Sequence, residues 1–256
     1  MLRRTLLFQL VRRDFEQRFV GSAAGWLWGL IHPVVLLVSW IFVFQVCMHA
    51  TLPPNEVTQN YSLFLFCGFL PWLLFQETVT RSASSLLDNS NLITKTVFPA
   101  EIVPVSICLS SLLSHLLALA LVIGVVGIYN GHFSLWMLSL PIYMFLVALF
   151  SIGVGWFVSS LQVYLRDTAQ VISVILTFWF WVTPIFIDEQ LYPERFRFLL
   201  RANPLAFVVR AYRDRLLSYR IPNVRELAIV TVYAIAVFVL GGLFFRHLKR
   251  GFADVL

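Results

Sequence analysis

The sequence predicts an all-α integral membrane protein with six transmembrane helices, an amphipathic interfacial helix at the N-terminus, and two short helices before the last crossing. Three observations carry that reading. The 256 residues are 59% hydrophobic and 12% charged, about half the charge of an ordinary soluble domain. Asp, Glu, Lys and Arg are absent between Arg18 and Glu56, between Glu56 and Glu77, from Ile102 to Leu165, from Thr168 to Ile187 and from Leu227 to Phe245. A helix needs roughly 20 apolar residues to cross ~30 Å of hydrocarbon, so each run supplies one crossing and the longest supplies two.

Leu7, Val11, Phe15 and Phe19 recur every four residues, while Arg4, Arg12, Arg13, Glu16 and Gln17 take other faces. That pattern predicts a helix lying in the membrane interface, its arginines near anionic headgroups. Arg12, Arg13 and Asp14 interrupt the apolar stretch, so a signal peptide is not expected. Gly21 and Gly25 loosen the chain before Trp26 and Trp28, which suit an aromatic belt at the start of the first crossing, residues 26–49. Pro53-Pro54-Asn55 ends it, and the second crossing, 61–80, returns with Gly68 and Pro71 expected to bend it.

Glu77 to Glu101 is a polar island between apolar runs. Within it Ser84 or Ser85 is expected to cap a short helix over 84–97. Leu86, Leu87 and Ile93 would form its sticky face, and Asp88, Asn89, Asn91 and Lys95 its rim, the arrangement of a docking element. A solvated connector is the plainer reading.

Ile102 to Leu165 would make a single helix roughly 96 Å long, so it must fold back. Tyr129-Asn130-Gly131-His132 supplies the turn, dividing a third crossing over 100–128 from a fourth over 134–162. Tyr164 to Asp167 is a brief charged return, and the fifth crossing, 168–187, contains Phe178, Trp179, Phe180 and Trp181. Pro193, Pro204 and Pro222 divide Asp188–Glu226 into pieces too short to span. Leu205, Val208, Val209, Tyr212, Leu216 and Tyr219 share one helical face, so two short amphipathic helices embedded at a surface are expected. Residues 226–246 form the sixth crossing.

Six crossings put both termini on one side. Arg3, Arg4, Arg12, Arg13, Arg18, Arg81, Lys95, Arg166, Arg246, Lys249 and Arg250 fall there, and the first two opposite loops carry no Lys or Arg. The positive-inside rule therefore makes both termini cytoplasmic. Eight arginines between Arg195 and Arg225 oppose that rule. Either five crossings put this segment inside and misplace the basic Arg246–Arg250 tail, or a late loop weighs less on orientation than the first helices. The second is preferred, with the arginines kept outside to meet phosphate groups of headgroups or an anionic substrate through their planar forks.

An energy source is missing. Lys95 follows Thr94 where a phosphate-binding loop needs glycine, and the other lysine, Lys249, is followed by Arg250. Asp, Glu, Lys and Arg are absent from the apolar runs, with Glu77 and Glu101 near loop ends, unlike the helices of proton-coupled carriers. Cys47, Cys67 and Cys108 read as small packing residues, and His32, His49, His115, His132 and His247 lack ligand spacing, so no metal is expected. If the chain transports, a separate subunit supplies the power.

Several motifs occur in order: RRDFEQRFVGSAAGWLWGLIHP at Arg12–Pro33, GFLPWLLF at Gly68–Phe75, SNLITKTVFP at Ser90–Pro99, YLRD at Tyr164–Asp167, TPIF at Thr183–Phe186 and NP at Asn203–Pro204. In this order and spacing the chain resembles, over nearly its whole length, the transmembrane subunit of ABC-type polysaccharide exporters, which serve O-antigen, capsule and teichoic-acid export. The resemblance implies a homodimeric permease in the cytoplasmic (inner) membrane with two ABC ATPase subunits, which bind the ATP and Mg2+. This chain would hold no cofactor, catalyse nothing and bind no nucleic acid.

The substrate implied is a lipid-linked polysaccharide, its head a polyprenyl diphosphate sugar. Ser85, Leu86, Leu87, Asp88, Asn89, Asn91, Ile93 and Lys95 would belong to the ATPase-coupling helix. Arg12, Arg13, Phe15, Arg18 and Phe19 would belong to an interfacial gate helix within residues 1–25 that meets the lipid head. Phe69, Trp72, Phe75, Trp179, Phe180 and Trp181 are candidate channel aromatics. Residues 188–221 would form two re-entrant helices, with Arg201, Arg210 and Arg213 as basic residues of the outer mouth.

Two rival classes stay open: an ABC permease for a drug or lipid, and a multi-pass enzyme handling polyprenyl phosphate. The enzyme would need clustered acids or histidines, and Asp188, Glu189 and Glu194 read instead as a solvated turn.

Overall fold

The computed structural model describes residues 2–17, 25–53, 58–95, 98–130, 134–218, 221 and 223–255, and no strand occurs among them. The α-helices are α1 (Leu2–Gln17), α2 (Trp28–Ile41), α3 (Tyr61–Asp88), α4 (Ser90–Lys95), α5 (Ile102–Asn130), α6 (Leu140–Tyr164), α7 (Thr168–Val182), α8 (Arg197–Ala202), α9 (Pro204–Arg213), α10 (Val224–Leu248) and α11 (Phe252–Val255). Helix α2 runs on into a π-helical segment, Phe42–Cys47.

Four stretches are long and apolar enough to cross a membrane: Tyr61–Asp88, Ile102–Tyr129, Leu135–Tyr164 and Val224–Gly251. The expected first and fifth crossings contain shorter apolar helices, Val34–Cys47 and Thr168–Val182. At 1.5 Å per residue α7 reaches roughly 22 Å, less than the hydrocarbon thickness. It stops at Val182, not at 187, because Thr183 takes an extended conformation (ψ 132°), as the ring of the following Pro184 favours. The extended chain then carries Phe186 to the start of α3, where the Tyr61 hydroxyl donates to the Phe186 carbonyl at 3.1 Å.

Helix α3 is capped by the Asn60 side chain, which accepts from the Leu63 amide, and runs through Pro71 without interruption to Asp88. The expected new helix start at Ser84 or Ser85 is therefore corrected. Both serines lie inside α3, where the Ser84 hydroxyl donates to Asp88 and that of Ser85 to the Ser82 carbonyl. The break comes at Asn89, whose carbonyl accepts the first bonds of α4 from the Leu92 and Ile93 amides.

Around α3 pack α5, α6, α7 and α9, and α10 lies along α6. The α6–α10 crossing is close because two glycines face each other: a Cβ on Gly241 would stand 2.1 Å from the Gly153 carbonyl oxygen. Small residues let helix backbones approach where lipid supplies no hydrophobic drive. Helix α9 starts with Pro204 in its first turn, and Asn203 accepts from the Leu205 amide. Its apolar face is that read from the sequence, with Leu205, Val208, Val209, Tyr212 and Leu216 buried. The surface placement is corrected, however, because nearly all of α9 is enclosed by α3, α6 and α10. Tyr219 lies outside the described residues.

Candidate functional site

At one end of the bundle α1 is tied to the polar island by two side-chain bonds. Arg81 of α3 donates to Asp14 of α1 at 2.5 Å, and Arg13 donates to the Asn89 Oδ1 at 2.6 Å. Asn89 in turn donates to the Ser85 carbonyl at 2.9 Å. These groups, with Ser84, Asp88 and Leu10, surround a cavity of about 420 Å³. Arg12 and Arg13 are both exposed, but Arg13 bonds the polar island whereas Arg12 pairs with Glu16 on its own helix. Phe15 is half-buried. Arg18 and Phe19 lie outside the described residues.

The expected sticky face points the other way. Leu86 has no exposed surface and packs with Ala100, Val103, Ile107, Val163, Phe245 and Phe252, while Ile93 leans on the same cluster. Leu86 sits inside the bundle because α3 continues past it, which rotates it toward α5 and α10 instead of outward. Leu87 is half-buried, Ser85 is buried, and Asp88 and Asn91 form the exposed rim. The Lys95 side chain lies outside the described residues. Lys249 of the C-terminal segment bonds Glu101 at 2.6 Å, and the Tyr164 hydroxyl donates to the Leu248 carbonyl at 2.8 Å. These bonds fasten the C-terminus to the same end.

In the middle of the bundle the structure gathers five of the six expected aromatics. Phe69, Trp72, Phe75, Trp179 and Phe180 form a chain of ring contacts, with centroids 5.1 Å apart for Phe75–Trp179 and 5.4 Å for Trp72–Phe180. Trp72 and Phe75 are wholly buried in this conformation. Trp181 is exposed but touches Phe180. Two partners were not foreseen: Trp40 on α2, 4.8 Å from Phe69, and Phe186, 4.9 Å from Trp40. Only the approach of α2 to α3 could place Trp40, although TPIF at Thr183–Phe186 was in hand as a signal for Phe186.

Trp40, Phe69 and Phe180 line one wall of a cavity of about 450 Å³ between α2, α3, α5 and α7. Gln76, Thr80, Ser111, Ser114 and His115 add polar atoms, with Glu77 and Arg81 toward the α1 end. His115 is buried and its Nε2 lies 3.0 Å from the Tyr212 hydroxyl. An open amphipathic cleft of this size has room for a group the size of a sugar ring or a short lipid segment.

At the far end the arginines are largely turned inward. Arg213 is buried; it donates to the carbonyls of Phe64, Pro184 and Ile185 at 3.2, 2.7 and 2.7 Å and lies over the Phe64 ring. Its expected place at the outer mouth is corrected: the Pro184 and Ile185 carbonyls belong to the non-helical turn after α7, where Arg213 supplies their donors, and the Phe64 carbonyl belongs to α3. Arg215 is buried beside the Tyr143 hydroxyl. Arg210 is paired with Glu189 and Glu226, and burial raises the Glu189 carboxyl above its ordinary pKa while Arg210 opposes the shift. Asp188 is buried as the cap of the turn that follows and Glu189 is half-buried, whereas Glu194 is exposed as the expected solvated turn requires. Arg201 is exposed. Arg210 thus has its charge balanced by carboxylates within the protein, and Arg213 has its charge solvated by backbone carbonyls. Among the described residues no group of His, Cys, Asp and Glu could hold a metal ion.

Long apolar helices, an open amphipathic cavity between four helices and a polar end braced by α1 define a polytopic helical membrane protein. Residues 5–217 match the profile of the ABC-2 type transporter family, and the chain belongs to that family. It is similar to two O-antigen export system permease proteins RfbA. The one from Klebsiella pneumoniae is 28% identical over 98% of this chain and 95% of its own. The one from Myxococcus xanthus is 29% identical, with the same coverage. Polysialic acid transport protein KpsM of Escherichia coli is 21% identical over 93% of this chain and 91% of its own.

Proposed function

We propose that this chain is the membrane-spanning subunit of an ATP-driven exporter that carries a lipid-linked polysaccharide across the cytoplasmic membrane. The observation that carries the reading is its unbroken likeness, over 98% of its length, to permeases named for O-antigen export. The amphipathic cavity beside Trp40, Phe69 and Phe180 supports it, because aromatic faces and scattered hydroxyls suit a passing glycan. Six crossings follow if α2 and α7 span together with their flanking segments, and α8 and α9 then form the re-entrant pair. Both termini lie in the cytoplasm.

The working unit is a homodimer with two ABC ATPase subunits. ATP and Mg2+ belong on those subunits, since Lys95 and Lys249 stand outside any glycine-rich phosphate loop. The partner would meet the rim formed by Leu87, Asp88, Asn91 and α4. A push there moves α3 directly, since the helix is continuous, and moves α1 through Asn89–Arg13 and Arg81–Asp14. Hydrolysis would thus reach the gate helix and the cavity by two short mechanical links.

The test is co-purification of the tagged chain from its native membrane, with and without Asp88→Arg and Asn91→Arg. Stoichiometric capture of an ATPase, released by the double change, is expected. ATPase activity of the complex should rise with a polyprenyl-diphosphate-linked polysaccharide. Absence of any ATPase from the unchanged chain after mild extraction, or stimulation only by drugs or free lipids, overturns the reading.

A further inference from the structure

Arg197 and Arg201 of α8 stand four residues apart, hence on one face of the helix. With Glu189, Gln190, Leu200, Phe207 and Arg210 they enclose an open cavity of about 640 Å³ at the end of the bundle remote from α1. The charges in it are not equivalent. Arg210 is occupied by Glu189 and Glu226 and lies 5.5 Å from the Phe207 ring centroid. Arg197 is steadied by the carbonyls of Tyr192 and Gln190, each at 3.2 Å, and has only the exposed Glu194 near it at 3.9 Å. Arg201 makes no hydrogen bond or ion pair among the described residues.

Two like charges at this spacing repel when the cavity is empty, and an anion between them removes that cost. One guanidinium is held in place by backbone, so part of the ordering entropy is already spent before a ligand arrives. The remaining wall has a different character. Glu189 can accept from hydroxyls and the Gln190 amide can both accept and donate, and the largely buried Phe207 adds an apolar contact. The volume exceeds what a bare phosphate fills and falls in the range that holds a small ligand.

We propose that this cavity is a binding site for an anionic, hydroxyl-bearing unit, its phosphate or carboxylate between Arg197 and Arg201 and its hydroxyls toward Glu189 and Gln190. The unit comes either from the exported glycan or from a lipid headgroup. The assignment deepens the export reading and rests on it only for the parent of the ligand. Binding is measured without ATP or transport, so failure of either is seen separately.

The experiment is isothermal titration of glucose 1-phosphate into the full chain in phosphatidylcholine nanodiscs, beside Arg201→Gln and, as a charge control at the other end, Arg250→Gln. The unchanged chain and Arg250→Gln are expected to bind alike, Arg201→Gln at least tenfold more weakly, and glucose not at all. Inorganic phosphate should bind at least tenfold more weakly than glucose 1-phosphate; equal affinity overturns the hydroxyl-binding wall. Repetition in phosphatidylglycerol nanodiscs identifies the source. Tenfold competition assigns the site to a headgroup, and unchanged affinity assigns it to the sugar. No binding to the folded unchanged chain at millimolar probe, or equal binding by Arg201→Gln, overturns the site.

Discussion

Gly68 lies directly beneath the guanidinium of Arg213: a Cβ on the glycine would stand 2.5 Å from the Arg213 terminal nitrogen. The missing side chain on α3 is the space in which a buried cation binds the turn between α7 and α8. Arg213 there supplies donors to the Pro184 and Ile185 carbonyls, which no helix satisfies, and adds a bond to the Phe64 carbonyl of α3. Two consequences can be measured.

Arg213→Gln should lower stability by about 2 kcal/mol or more, because the two turn carbonyls left without donors in an apolar interior cost roughly 1–3 kcal/mol each. Arg213→Lys should recover only part of it, since a single ammonium lacks the planar fork. Gly68→Ala should destabilise by about 1–3 kcal/mol through overpacking. Thermal unfolding in detergent checks all three. An unchanged midpoint for Arg213→Gln would mean that the carbonyls find other donors.

The link between Asp14 and Arg81 predicts a charge-swap result. Asp14→Arg and Arg81→Asp should each lower export while leaving membrane abundance within about twofold, and the double swap should restore part of it. Coupling energies between residues in contact run to about 0.5–3 kcal/mol. Export assayed at equal abundance decides the matter, with purely additive losses counting against a mechanical link.

Where α6 crosses α10, Gly241→Leu should prevent the helices from closing and lower the unfolding midpoint strongly. Gly242→Ala should be tolerated, because its Cβ would meet only the edge of the Trp156 ring at 3.3 Å. Comparing the two thermal midpoints separates a backbone contact from general crowding on this helix.

Phe252 is buried against Phe245, with centroids 5.4 Å apart, in the cluster that also holds Leu86. Loss of a buried aromatic costs about 3–5 kcal/mol. At this terminal site the loss is expected to appear as local release of α11 and α4 and not as global unfolding. Phe252→Ala should therefore raise hydrogen exchange over residues 90–95 and 249–255 while leaving α6 protected. Unchanged exchange in α4 would show that the C-terminal segment does not brace it.

Much of the plan was legible from spacing alone. Charge-free runs mark α3, α5, α6 and α10 because an uncompensated charge in hydrocarbon is expensive. The buried face of α9 follows from the recurrence of Leu205, Val208, Val209 and Tyr212, since helical period does not depend on what the face meets. The missing phosphate loop was equally plain, for that motif is local in sequence.

What only the tertiary structure decided is which way polar residues turn. Arginines between Arg195 and Arg225 read as a basic outer surface, yet Arg213 and Arg215 are inside, because their partners are carbonyls and a phenol 28 to 149 residues away in sequence. Leu86 read as an exposed anchor, but α3 runs past the serines expected to cap a new helix and turns it into the core. Ser84 and Ser85 bond within the helix as readily as they would cap one, so local sequence leaves the choice open and packing against α5 and α10 makes it. Composition and period thus determined the membrane class and the long helices. The pairing of buried charges, the placement of α9 and the brace between α1 and the polar island came from contacts distant in sequence, which no local pattern encodes.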